Sequence, residues 1–365
     1  MATLSEATLK LWIYDGQITT YDQANPQYTI TKTKLSSEQT ILFEIGELVK
    51  DYIDIYFDGD YTTANLTSWV SYEIESVFDK DLSTEKKAIK IGHLLGTHGY
   101  GYFEDEINPQ LINPLQQSNT CIFWKKGEKV RIPLYSGQSL YDVEWYEDGV
   151  QVSSDVFGQN LEPITADTTD FKASHEGLIS ADMTHIGNTN ESQYSVDSLS
   201  PLNANKVIVK TKDGTEVTVF VTYVEECKNT PFKITFINKF GVLQDIWMFG
   251  RRKESAEASR DSFKVNTIES TTAQTFYPTY KPTDKIHNVN AYKSLTLNTG
   301  FVCEDYNEVI QQLLFSEKVW IHEDNKVFPV TPKDNTIEYK TNLYEKVLNY
   351  TISFDYAYSE INLVR

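Results

Sequence analysis

Cysteine is scarce in this chain. There are three in 365 residues, Cys121, Cys227 and Cys303, odd in number, far apart in sequence and without metal-ligand spacing. That speaks against a disulfide scaffold or a zinc module and for folding in a reducing compartment. Long apolar runs are missing too. No stretch approaches the ~18 residues of a membrane span, and residues 1–6 carry neither the basic region nor the apolar run of a secretory signal. Positive charge is sparse, with 33 Lys and Arg against 52 Asp and Glu and a net charge of −19. A surface that wraps DNA or RNA needs clustered cations, so sequence-specific nucleic-acid binding is not expected, nor is binding to an anionic membrane surface. Solubility is the simplest role for the excess acid. The 17 Gly and 11 Pro are scattered, as in turns rather than in linkers or collagen.

Catalytic signatures are also lacking. The chain has no nucleophile elbow, HExxH, P-loop or dinucleotide fingerprint. Carboxylates are so abundant that an Asp/Glu pair indicates nothing by itself. No internal repeat period is visible. The chain is therefore expected not to be an enzyme, with no catalytic residue, no cofactor-binding residue and no metal ligand.

What is present favours strands. The 23 Tyr and 18 Phe fit a pleated, half-buried surface, and a length of 365 residues suggests two or three domains. The expected fold class is mainly β: tandem β-sandwich domains, jelly-roll or Ig-like, with one or two packed short helices. Residues 1–116 read as an N-terminal β-sandwich with an inserted helix. Alternation predicts strands at 8–14, 28–34, 53–57, 69–78 and 88–95. Phe43, Ile45, Leu48, Val49 and Tyr52 fall near helical spacing.

Residues 117–226 read as an Ig-like sandwich without the Ig cysteine pair. A hairpin is expected from 121–124 to 129–135 around Lys126 and Gly127. A second is expected at 143–153 across Asp148 and Gly149, with Trp145 in the core, and a third at 206–223 across Asp213 and Gly214. Residues 158–174 read as a loop, with strands at 177–183 and 193–196.

Residues 227–365 read as a C-terminal sandwich plus one helix, tail-tube-like by analogy. Strands are expected at 232–238, 243–250, 293–299, 319–322, 327–330 and 346–358. A helix over 304–315 carries Tyr306, Val309, Ile310, Leu313 and Leu314 on one face. The charged stretch 251–262 fits either a short helix or a long polar strand pair. Residues 270–287 read as a loop, and both this loop and 158–174 are long enough to serve as arms.

Several side chains invite a chemical reading. His93 and His98 stand near Glu104, Asp105 and Glu106, but four residues separate the histidines and Gly96, Gly99 and Gly101 make a turn, so a structural hairpin is favoured over zinc. Asp58, Gly59 and Asp60 resemble the start of a calcium loop, yet Tyr61, Thr62 and Thr63 do not continue its oxygen ligands. His175, His185, His287 and His322 are isolated in sequence. Lys125 and Lys126, and Arg251, Arg252 and Lys253, are short basic clusters with acidic neighbours; the second fits an inter-subunit contact or a strand-end solvated patch, and the solvated patch is favoured. Tyr277 and Tyr280 suit either stacking on sugars or packing on their own domain.

A resemblance spans most of the chain. It is carried by KITFINKFGVLQDIWMFGRRKESAEASRDSFKV at 233–265, LNTGFV at 297–302, LLFSEKVWI at 313–321 and LNYTISFDYAYSE at 348–360. FEIGELVKDYIDIYFDGD at 43–60 and GYGYFEDEINP at 99–109 add to it. These resemble virion structural proteins of tailed phages that infect Bacteroidota. The resemblance implies a non-enzymatic component of the tail, baseplate or tail-adaptor region, located in the virion and assembled in the host cytoplasm. Its implied partners are copies of itself, in a ring or other symmetric oligomer, and other virion proteins. The alternative is a tail-tip or adhesin protein that binds host surface glycan. The resemblance supplies no functional residues.

Overall fold

The computed structural model describes the chain apart from residues 1–2, 15–23, 36–39, 60–65, 81, 83–84, 106–114, 129, 135–139, 157–193, 196–202, 212–213, 335, 337, 340–347 and 362–365. The described residues are mainly β, with two helices and several antiparallel sheets. The expected loop at 158–174 and strands at 177–183 lie outside them, as do His175 and His185.

The first sheet contains β1 (Leu4–Tyr14), β2 (Tyr28–Thr33), β3 (Thr67–Phe78) and β4 (Lys86–Thr97), antiparallel in the order β2-β1-β3-β4. Its expected helix is one short turn, α1 (Gly46–Lys50), with Val49 buried. The expected strand at 53–57 is not one. Ile53, Ile55 and Phe57 are buried while Asp54 and Tyr56 are exposed, so the segment has a strand's alternation without being a strand. Burial of every second side chain generated the pattern; no ladder did.

The second sheet has five strands among β5 (Cys121–Lys125), β6 (Pro133–Leu134), β7 (Leu140–Glu147), β8 (Val150–Val156), β9 (Tyr194–Ser195), β10 (Lys206–Thr211) and β11 (Glu216–Val224). Their order is β5-β11-β10-β7-β8, while β6 and β9 pair separately. The β7–β8 turn holds Asp148 at φ 48° and Gly149 at φ 85°, the left-handed pair that a two-residue hairpin demands. Trp145 is fully buried. The hairpin expected from 121–124 to 129–135 is overturned. The chain turns at Gly127, but β5 instead pairs in parallel with β11, Cys121 opposite Phe220 and Trp124 opposite Tyr223.

The third sheet has seven strands. They are β12 (Phe232–Ile237), β13 (Leu243–Met248), β14 (Lys253–Lys264), β17 (Asp284–Asn298), β18 (Val319–Glu323), β19 (Lys326–Pro332) and β20 (Thr351–Tyr356), in the order β13-β12-β18-β19-β20-β17-β14. A small pair, β15 (Glu269–Ser270) and β16 (Thr275–Phe276), lies between β14 and β17. The helix α2 (Tyr306–Phe315) buries Tyr306, Val309, Ile310 and Leu313. These join Ile234, Phe236, Ile246 and Met248 in one hydrophobic cluster.

All six residues of β13 are buried. Ile246 and Met248 face the α2 cluster. On the opposite side Leu243 belongs to the core of the first sheet, with Leu11, Ile55 and Val70, and Trp247 to the core of the second, with Trp145 and Val219. Strand alternation puts these two sets on opposite faces. The third sheet is thus a middle layer, covered on one face by α2 and on the other by the first two sheets.

Candidate functional site

Polar groups converge where the three sheets meet. Thr235 on β12 and Asp245 on β13 are cross-strand partners, and the Thr235 hydroxyl lies 2.6 Å from Asp245 Oδ1 and 2.8 Å from His322 Nε2 on β18. Arg131 approaches Asp245 Oδ2 to 3.4 Å and Lys233 to 3.8 Å. Phe57 closes the first-sheet side, its ring 5.8 Å from that of His322. Burial, reinforced by the Lys233 and Arg131 cations, lowers the His322 pKa to about 4.

Proton placement decides what this cluster does. A hydroxyl has one proton, and the Asp245 carboxylate only accepts. Thr235 therefore donates to Asp245, and neutral His322 donates its Nε2 proton to Thr235. A Ser/Thr–His–Asp relay runs the other way, carboxylate to imidazole and imidazole to hydroxyl. The cluster as built clamps three sheets and leaves no activated nucleophile.

A second buried network lies beside it. Asn238 donates to the Gln116 carbonyl (2.7 Å) and to Gln244 Oε1 (3.0 Å), and its Oδ1 accepts from the Phe240 amide at 3.0 Å. Gln244 reaches Asn119 at 3.2 Å, and Gln312 of α2 reaches Ser118 at 2.6 Å. Lys239 pairs with Glu308 at 3.1 Å and lies over the Tyr102 ring. Sequence reading missed this network, because amides far apart in sequence carry no local signal.

The residues singled out in the sequence are dispersed. His93 lies on β4. His98 is half-buried beside Glu317, 3.9 Å away, and its partial burial lowers its pKa. Phe103, Glu104 and Asp105 form a 3-10 turn, on which Glu104 is exposed; Glu106 lies outside the described residues. Gly59 has φ 108°, with Val327 against it, and Asp60 is not among the described residues. Among the described residues no group of three or more His, Cys, Asp or Glu is placed to hold a metal ion. Lys125 pairs with Glu128 at 3.0 Å and Lys126 with Glu225 at 2.9 Å. Arg252 lies over Phe232 and pairs with Glu323 at 2.7 Å.

The stretch 251–262, open between helix and strand in the sequence, is strand β14. Its partner β17 begins at Asp284, well before the expected start at 293, so the expected loop over 270–287 holds β16 and the start of β17. β14 and β17 stay paired from Lys253–Thr296 to Lys264–Asp284, whereas β20 covers β17 only from Ser294 to Asn298. The Glu360 amide donates to the Ala291 carbonyl at 2.9 Å, so residues 284–290 and their β14 partners continue beyond it as a two-stranded arm, about 20 Å long at strand rise.

Every residue of β14 is exposed. Phe263 (48%), Ile286 (51%), Tyr277 (68%) and Tyr280 (77%) are exposed apolar groups of the arm and its tip, and His287 packs on Phe263 with rings 6.0 Å apart. At the root, Lys293 pairs with Glu254 at 3.2 Å and lies over Tyr356. Residues 253–298 hold six Lys and Arg against five Asp and Glu, so the arm is close to neutral on a chain of net charge −19. Among the described residues no helix is long and apolar enough to cross a membrane. Compared with family models, curated proteins and solved structures, the chain finds no match.

Proposed function

We propose that the protein is a non-catalytic building block of a tailed-phage particle, in its tail, baseplate or tail-adaptor region, which joins copies of itself through the β14–β17 arm. The arm is the observation that carries this reading. A two-stranded ribbon is marginally stable alone in water, and an exposed strand edge offers unpaired amides and carbonyls for pairing with another chain. The exposed Phe263 and Ile286 add apolar surface, and near neutrality lets the arm seat on the acidic body of a second copy without like-charge repulsion. Closed rings follow where such a head-to-tail contact repeats around an axis.

The resemblance of residues 233–265, 297–321 and 348–360 to phage virion proteins supports the particle assignment. In this reading the sheets are tandem sandwich modules, jelly-roll or Ig-like, other virion proteins are the further partners, and assembly takes place in the host cytoplasm. The reading calls for no cofactor. Light scattering on the purified chain, with negative-stain imaging, tests it. A ring or other closed oligomer that falls to monomers when residues 256–291 are replaced by a two-residue turn supports it. A full-length chain that stays monomeric, alone and with particle components, overturns it.

A second reading is favoured by Tyr277 and Tyr280 at the arm tip, whose exposed rings suit stacking on a sugar face. Binding of the intact chain to a glycan array, lost on Tyr277→Ala with Tyr280→Ala, distinguishes it from self-assembly.

A further inference from the structure

Two of the three cysteines are far apart in sequence but adjacent in space. Cys121 opens β5, and Cys303 lies just before α2. The Cys303 sulfur is 3.7 Å from the Cys121 carbonyl oxygen, across 182 positions of sequence. The surrounding backbone is pinned. Thr120 donates to Asp305 at 3.3 Å, the Phe123 amide donates to the Tyr306 hydroxyl at 3.0 Å, and the Phe123 and Tyr306 rings meet edge to face at 5.7 Å. Both cysteine residues are partly exposed.

We propose that Cys121 and Cys303 form a reversible disulfide, by exchange with a low-molecular-weight disulfide such as oxidised glutathione, that staples the second sheet to α2. The Cys121 thiolate attacks one glutathione sulfur, forming a mixed disulfide and releasing one glutathione thiolate. Cys303, having given up its proton, then attacks the Cys121 sulfur and releases the second. Two protein thiols lose two electrons and two protons, and one oxidised glutathione becomes two reduced molecules. The contact assigns the order. Hydrogen bonding from Cys303 lowers the Cys121 pKa, whereas the same contact and burial raise that of Cys303, so Cys121 attacks first.

The bond closes a loop spanning 182 positions, which restricts the unfolded chain strongly. A chain folded with free thiols in a reducing compartment is cross-linked on passing to an oxidising one, whether or not it assembles. The exposed Cys227 is the internal control.

The test is a non-reducing peptide map of the folded full chain after incubation with oxidised glutathione, acid quench and alkylation. A linked pair of Cys121 and Cys303 peptides is expected, with only Cys227 still open to the reagent. The unfolding midpoint is expected to rise, and to return on adding dithiothreitol. Cys227→Ser is expected to give the same link. The proposal is overturned if Cys121 and Cys303 end as separate glutathione adducts, or stay free while Cys227 reacts.

Discussion

The Cβ that Gly241 lacks would stand 2.7 Å from the backbone nitrogen of Gly99. Gly241 lets the segment after β4 rest directly on the β12–β13 turn, where the Tyr100 amide donates to the Lys239 carbonyl at 2.8 Å. Gly241 also has φ 79°.

Gly241→Ala therefore carries two penalties, left-handed backbone and a backbone clash that no rotamer relieves, together about 2–4 kcal/mol. Gly127 has a similar φ, 86°, but open space around it, so Gly127→Ala carries only the first, about 1 kcal/mol. Urea unfolding of the two variants checks the difference. Equal losses would mean that the contact with Gly99 contributes nothing.

Asn238 is fully buried and ties the turn to the Gln116 carbonyl and to Gln244. Asn238→Ala removes those donors and leaves buried acceptors unmatched, at about 2–3 kcal/mol. Combined with Gln244→Ala, it is expected to cost less than the two single losses added, because both act on one network. Denaturant midpoints of the three variants measure the coupling.

Acid should loosen the junction of the sheets. The folded-state pKa of His322 is about 4, below its ordinary value of about 6.5. Between these values the unfolded chain binds the proton and the folded chain resists it. The contribution is thus whole above pH ~6.5 and is lost as pH falls toward 4, by roughly 1–3 kcal/mol. His322→Gln keeps a donor for Thr235 without titrating. It is expected to flatten the fall in urea midpoint between pH 7 and pH 4.5, and an unchanged pH profile would remove His322 as the cause.

How far these features could be read from the sequence depended on how local their causes are. Asp148 and Gly149 announced their hairpin because a two-residue turn needs left-handed backbone at adjacent positions. The face of α2 was visible because its apolar residues repeat within one short segment. Residues 53–57 misled because alternating burial arises without a ladder. The parallel partner of β5 lies almost a hundred positions downstream, so the nearer segment past Gly127 was the natural guess. The arm was half legible, since a long polar strand pair stood open beside a short helix for 251–262, and nothing local decided between them. Ala256, Ala258, Glu257 and Arg260 give neither face an apolar stripe, so β14 lacks the alternation by which strands are recognised. The Thr235–Asp245–His322 clamp joins three strands of one sheet across 87 positions, and the Asn238 network reaches back 122 positions to Gln116, so neither has a local pattern.

The arm is expected to be separable from the fold. Phe263→Glu with Ile286→Glu changes exposed positions, which typically alters stability by no more than about 0.5 kcal/mol each, but places charge on the surface assigned to a second copy. The variant should unfold at the wild-type temperature and lose the assembled species in light scattering. Assembly that survives the double change would place the contact elsewhere.

Burial of β13 on both sides has a consequence for how the chain is made. A ribosome delivers residues 4–224 first, so the apolar faces around Leu11 and Val70 and around Trp145 and Val219 emerge before Leu243 and Trp247, the side chains that complete them. Until the last third leaves the exit tunnel, nascent chains carry two unfinished greasy surfaces, the condition under which chains stick to one another or to chaperones. Fragments that stop short of residue 248 should accumulate as insoluble material, whereas the full chain can fold around its final segment.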